Sequence, residues 1–123
     1  VATSTHFKEL ELACRCGCKL DNVKLELLAK LEQLRVIIRH PIILTSASRC
    51  PARELAVSGK SGGAHTTGDA VDIKCTSDLD RFNLIRILLE LGFCRIGVAA
   101  DFIHADLSET LPQAVCWTYG DKK

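Results

Sequence analysis

The apolar positions of this chain fall into two helical stripes and several short alternating runs. Leu27, Leu28, Leu31, Leu34, Ile37 and Ile38 recur at helical spacing, which predicts an amphipathic helix packed on a core. Asp21 or Asn22 is placed to cap its start, the pattern runs to about Arg39, and Pro41 stops it. Phe82, Ile85, Leu88 and Leu89 mark the inward face of a second helix, opened by Ser77 and Asp78 and closed by Gly92. Between the helices, Ile42-Ile43-Leu44-Thr45 reads as a short buried strand, and Pro51 opens a short helix through about Val57. The Gly- and Ser-rich run from Ser58 to Gly63 is a loop by composition. Ala70 to Lys74 then alternates with period two, so Val71 and Ile73 point one way, with Cys75, while Ala70, Asp72 and Lys74 point the other. Asp72 therefore lies opposite the core contacts or faces a cleft. Two further strands, Cys94 to Ala99 and Phe102 to Leu107, are joined tightly around Ala100 and Asp101, and Phe102, His104 and Asp106 share a face. The mixed order predicts one α+β domain over residues 1–123, a small, mostly antiparallel β-sheet packed on two main helices.

Composition excludes more than it selects. At 123 residues the chain can bury a core without cross-links. Sixteen Lys and Arg against fifteen Asp and Glu leave a formal charge of +1, which gives no electrostatic case for nucleic acid or an anionic membrane as partner. No apolar run approaches the roughly 20 residues of a membrane span, and Val1 to Lys8 lacks the basic-then-apolar pattern of a signal peptide. A monomer is the simplest expectation. Seven cysteines are many, and an odd number cannot all pair within one chain. Cys75 and Cys94 sit in apolar stretches and read as small buried hydrophobes. The run Cys14-x-Cys16-x-Cys18 leaves three readings open: reduced structural thiols, one or two disulfides, or a second metal site lacking a partner cluster at zinc-finger spacing.

The polar positions of interest are His65, Asp72 and His104. Two imidazoles and a carboxylate suit zinc, which in hydrolases takes three protein ligands and leaves one position open. Gly68 permits a turn that lets a loop histidine and a strand aspartate face one point. A surface-loop histidine and an edge carboxylate would give the same local pattern, so spacing alone does not decide. Asp101 precedes His104 by three and would fall on the opposite face of a regular strand. It reaches the same point from the turn ahead of the strand, as a general base, or serves that turn alone. Arg49 could stabilise an oxyanion or bind a substrate carboxylate, or form a surface ion pair. Trp117 and Tyr119 could wall a pocket or pack at an edge. The His-Glu-x-x-His helix motif of common zinc proteases is absent.

These residues carry a resemblance. Gly63-Ala64-His65-Thr66-Thr67-Gly68-Asp69-Ala70-Val71-Asp72 is similar to the Ser-x-His-x-x-Gly-x-Ala-x-Asp signature of zinc D-alanyl-D-alanine peptidases. That group includes vancomycin-resistance dipeptidases, actinomycete carboxypeptidases and phage endolysins, related in fold to the hedgehog signalling domain. Asp101-Phe102-Ile103-His104-Ala105-Asp106 resembles its acidic-x-x-His motif, and Thr45 to Pro51 the segment ending in its substrate-contacting Arg. The opening His6-Phe7 through Cys18 and the closing Phe93 to Gly97 and Trp117 to Tyr119 extend the likeness over nearly the whole chain. The resemblance implies a Zn2+ cofactor held by His65, Asp72 and His104, with Asp101 as acid/base and Arg49 on the polarised carbonyl; Asp106, on the same strand face as His104, could orient that imidazole. It implies hydrolysis of peptidoglycan stem peptides in the cell wall or periplasm, as a D-Ala-D-Ala carboxypeptidase or a related endopeptidase. A zinc-bearing binding module without catalysis is the competing expectation. Three positions depart from the pattern: Gly63 replaces a Ser, Ser48 an aromatic Tyr, and Asp69 adds a carboxylate beside the metal loop.

Overall fold

A computed structural model describes residues 4–18, 20–58 and 63–120. Its elements are α1 (Glu9–Leu12), α2 (Leu25–Ile38), β1 (Leu44–Ser46), α3 (Pro51–Ser58), β2 (Ala70–Lys74), α4 (Asp78–Glu90), β3 (Arg95–Val98), β4 (Phe102–Asp106) and β5 (Val115–Thr118). The strands form one sheet in the order β1-β2-β4-β3-β5, antiparallel except for the parallel β3–β5 pair. This is the α+β fold the pattern predicts. Strand β5 and the short α1 were not expected from it.

Register divides the sheet into an apolar face and a chemical face, because cross-strand partners share a side. Val71, Ala105 and Ile96 form one row and Ile73 and Ile103 another. They pack in one core with Leu27, Leu28, Leu31 and Leu34 of α2 and with Leu84, Ile87 and Leu88 of α4. The opposite face carries the row Ser46, Asp72, His104, Gly97 and Trp117, one residue from each of the five strands. An irregularity in β1 between Leu44 and Ser46 keeps Ser46 in that row.

Helix α2 begins two or three residues later than expected, and neither Asp21 nor Asn22 caps it; Lys24 occupies the N-cap with no side-chain capping bond. Burying Leu27, Leu31 and Leu34 completely contributes about 2 kcal/mol each, more than the ~1 kcal/mol a cap adds. Packing therefore places the helix. Ile37, expected in the stripe, is exposed, and Arg39 at φ 65° ends the helix ahead of Pro41.

Helix α4 is capped as expected, by the Ser77 hydroxyl accepting from the Asp80 N–H at 3.1 Å. It closes on Gly92 at φ 96°, with Gly92 N–H on the Leu89 carbonyl and Phe93 N–H on that of Leu88, each at 3.1 Å. Its inward face differs from the expectation: Leu84, Ile87 and Leu88 are buried, while Phe82 and Leu89 are exposed. The helix is apolar on two stripes, and the one that packs against α2 and β4 wins. Strand β1 is likewise displaced, ending at Ser46 with Ile43 exposed. Cys75 is buried as expected, but Cys94 is exposed, because it lies in the turn before β3 rather than within the strand.

Candidate metal centre

The loop that presents His65 is built by short-range bonds. Thr66 N–H and its hydroxyl both donate to the Gly63 carbonyl, at 3.0 and 2.7 Å, and Asp69 N–H donates to that of Ala64 at 2.9 Å. Gly68 turns the chain at φ 81°, and a Cβ there would lie 1.9 Å from the Asn22 carbonyl oxygen. Both conformation and space therefore demand glycine. Asn22, freed from capping, donates through Nδ2 to the Thr66 carbonyl at 2.8 Å, and Lys24 N–H reaches that of Gly68 at 2.9 Å. Asp69, the extra carboxylate, is held by the Thr67 hydroxyl at 2.5 Å and Lys24 Nζ at 2.9 Å. It fastens the loop.

His65, Asp72 and His104 are all buried, and their ligand atoms lie within 4.8 Å of one another. His65 Nδ1 is 2.7 Å from the Ala47 carbonyl, which can only accept, so that nitrogen carries the proton. His104 Nε2 is 2.7 Å from an Asp106 carboxylate oxygen and is protonated for the same reason. In the neutral rings the remaining nitrogens, His65 Nε2 and His104 Nδ1, are bare. Both face Asp72 Oδ1, at 3.2 and 3.0 Å. Three acceptors converging on one point call for a cation, either protons on the rings or a metal ion, and the donor set fits zinc. Electrostatics agree. Burial pushes the Asp72 carboxyl up, but its bonds to His104 and His65 outweigh this and hold it well below the usual aspartate range. Burial pulls His104 down, and Asp106 with Asp72 more than reverses it, leaving the imidazole raised.

Arg49 holds the second Asp72 oxygen through Nη2 at 2.9 Å, Glu54 through Nη1 at 2.8 Å and the Ser46 hydroxyl through Nε at 3.0 Å. Asp72 Oδ1 is thereby left to the centre. Glu54 was not singled out from sequence, although its place five residues after Arg49, in the first turn of α3, was visible. It also accounts for Gly63, since a Cβ there would lie 2.8 Å from Glu54 Oε2. Ser48 is buried away from the cleft, accepting from Asn22 N–H at 3.0 Å.

These groups line a cleft of about 820 Å³ that also includes Asp101, Arg95, Trp117 and Tyr119. Asp101 sits in the turn ahead of β4, exposed, on the cleft side. The Trp117 ring packs 5.3 Å from His104, and Arg95 lies 5.0 Å over its face. Tyr119 continues the wall against Phe102 at 5.1 Å, and burial pushes its phenol up.

A buried His-Asp-His set in an open cleft, with a carboxylate in the turn beside it, has the parts of a metal-dependent hydrolase. Over residues 5–106 the chain matches the family model described as Peptidase M15, and it belongs to that family of metallopeptidases. No curated protein matches it.

Proposed function

We propose that this chain is a zinc-dependent peptidase that hydrolyses peptidoglycan stem peptides at the cell wall, acting as a D-alanyl-D-alanine carboxypeptidase. The observation that carries this reading is the convergence of His65 Nε2 and His104 Nδ1 on Asp72 Oδ1, at 3.2 and 3.0 Å, inside a cleft of about 820 Å³. Three protein ligands with one open position mark catalytic rather than structural zinc. Bound there, zinc supplies Lewis acidity and lowers the pKa of its water to about 7. Asp101, exposed in the cleft-side turn, accepts the proton of the attacking water and returns it to the departing amine. Arg49 steadies the polarised carbonyl oxygen, a task in which one donor is worth about 3 kcal/mol. Its bonds to Asp72 and Glu54 hold the guanidinium in place for that role. Trp117 and Tyr119 wall the peptide and keep bulk water from His104.

The test incubates purified protein with muropeptides, with and without chelator, and weighs the products by mass spectrometry. Loss of one alanine identifies the carboxypeptidase, whereas an internal cut assigns the same chemistry to an endopeptidase. Asp101→Asn should lower kcat by about 10²- to 10⁴-fold with bound metal retained. Full turnover in that variant, or in His65→Ala, would sink the assignment. Zinc binding with no turnover on any muropeptide would make the chain a binding module.

A further inference from the structure

The cysteines that the catalytic reading leaves unused are not scattered. Cys14, Cys16, Cys18 and Cys50 bring their sulfurs within 4.8 Å of one another, although Cys50 lies over thirty residues from the others. Three of the separations are Cys14–Cys16 at 3.5 Å, Cys16–Cys50 at 3.6 Å and Cys14–Cys50 at 3.8 Å. Sulfurs about 2.3 Å from a tetrahedral zinc stand about 3.8 Å apart. A disulfide would draw two sulfurs together at about 2 Å and give the others no reason to gather. The surroundings suit thiolates. Cys50 N–H points at Cys14 Sγ and Arg53 N–H at Cys50 Sγ, each at 3.4 Å, the latter from the first turn of α3. Gly17 at φ 94° reverses the chain between Cys16 and Cys18. The knuckle is fixed by Cys14 N–H on the Leu20 carbonyl at 2.7 Å and by Arg15 bonded to the Leu10 and Leu44 carbonyls.

We propose that Cys14, Cys16, Cys18 and Cys50 form a second, structural metal site that binds zinc through four thiolates, separate from the His65-Asp72-His104 centre. Binding releases the thiol protons to solvent and leaves no open ligand position. The site clips the N-terminal knuckle to the residue next to Arg49, so it also braces the catalytic wall.

Zinc content, cobalt spectra and thiol accessibility test this on the intact protein. Wild type should hold about two zinc per chain, with a His65→Ala/His104→Ala variant keeping one and a Cys16→Ser/Cys50→Ser variant losing the other. Cobalt-substituted wild type and the His variant should both show sulfur-to-cobalt charge-transfer absorption, which requires no cysteine variant to fold. Alkylation followed by peptide mapping should label the exposed Cys94 and Cys116 and spare the four until a chelator strips the metal. A cobalt spectrum without thiolate bands, prompt alkylation of all four, or a disulfide among them in the peptide map would overturn the proposal. Because the His variant lacks the catalytic centre, failure of the peptidase reading leaves this test intact.

Discussion

Asp106 shows how much one buried carboxylate can settle. It is almost fully buried, with Oδ2 at 2.7 Å from His104 Nε2 and Oδ1 accepting from Arg95 Nε at 2.8 Å and Ser108 N–H at 3.1 Å. As an acceptor it fixes which His104 nitrogen is bare, and its charge makes that nitrogen a better donor to a cation. Asp106→Asn keeps the shape but turns an amide NH₂ toward either Arg95 or His104, where a donor would face a donor. Metal affinity should fall by about 10- to 100-fold, read by competition with a chelator of known strength; an unchanged affinity would remove Asp106 from the site. His65, Asp72, His104 and Asp106 were legible in sequence, because periodicity and the two motifs set their positions. The Ala47 carbonyl that orients His65, and Glu54 behind Arg49, were not. One is backbone without a side-chain signature, and the other acquires its role only when Arg49 joins α3 to Ser46 of β1 and Asp72 of β2.

Among the elements, β5 matters most to the site and was the least legible. Strand β2 was readable to its exact bounds from alternation alone, whereas Val115–Thr118 is four residues whose strand character comes from pairing with β3, a partner distant in sequence. That pairing sets Trp117 opposite Gly97, and a Cβ at Gly97 would meet the indole at 2.7 Å. The missing side chain lets the ring lie over β3 and reach His104. Gly97→Ala should tilt Trp117 away, at a stability cost of about 1–3 kcal/mol from overpacking. Trp117 is the chain's one tryptophan, so its fluorescence reports the change directly. Emission should shift to the red and kcat/KM should fall, with metal content unchanged. Unshifted emission would mean that Gly97 does not set the ring's position. The same lesson holds for α4, where two apolar stripes compete in sequence and packing against α2 and the sheet chooses between them.

At the scale of the whole molecule, near-neutral charge leaves electrostatic stability to particular pairs rather than to the overall field. One such pair ties the chain's start to its central helix. Phe7 is completely buried, and just ahead of it Ser4 and His6 are bound to Glu32 of α2. Ser4 Oγ donates to Glu32 Oε2, His6 N–H donates to the same oxygen at 2.7 Å, and His6 Nδ1 lies 2.6 Å from Oε1. Burial alone would push the Glu32 carboxyl up; the bonds from His6 and Ser4 outweigh it and hold the group below the usual glutamate value of 4.5. A carboxyl lowered by folding releases its proton more readily in the native state than in the unfolded one. Its contribution is therefore complete above about pH 4.5 and is lost as pH falls through the lowered folded value. Glu32→Gln keeps the size of the side chain and removes the charge. It should cost about 1 kcal/mol at pH 7, because the pair is partly exposed and screened. Urea unfolding of both proteins from pH 7 to pH 3 should show their stabilities converging toward the acid end. A gap that stays constant across that range would mean that shape, not charge, joins the N-terminal segment to α2. The motifs of the candidate metal centre carry no trace of this tether, since it joins residues more than twenty-five positions apart.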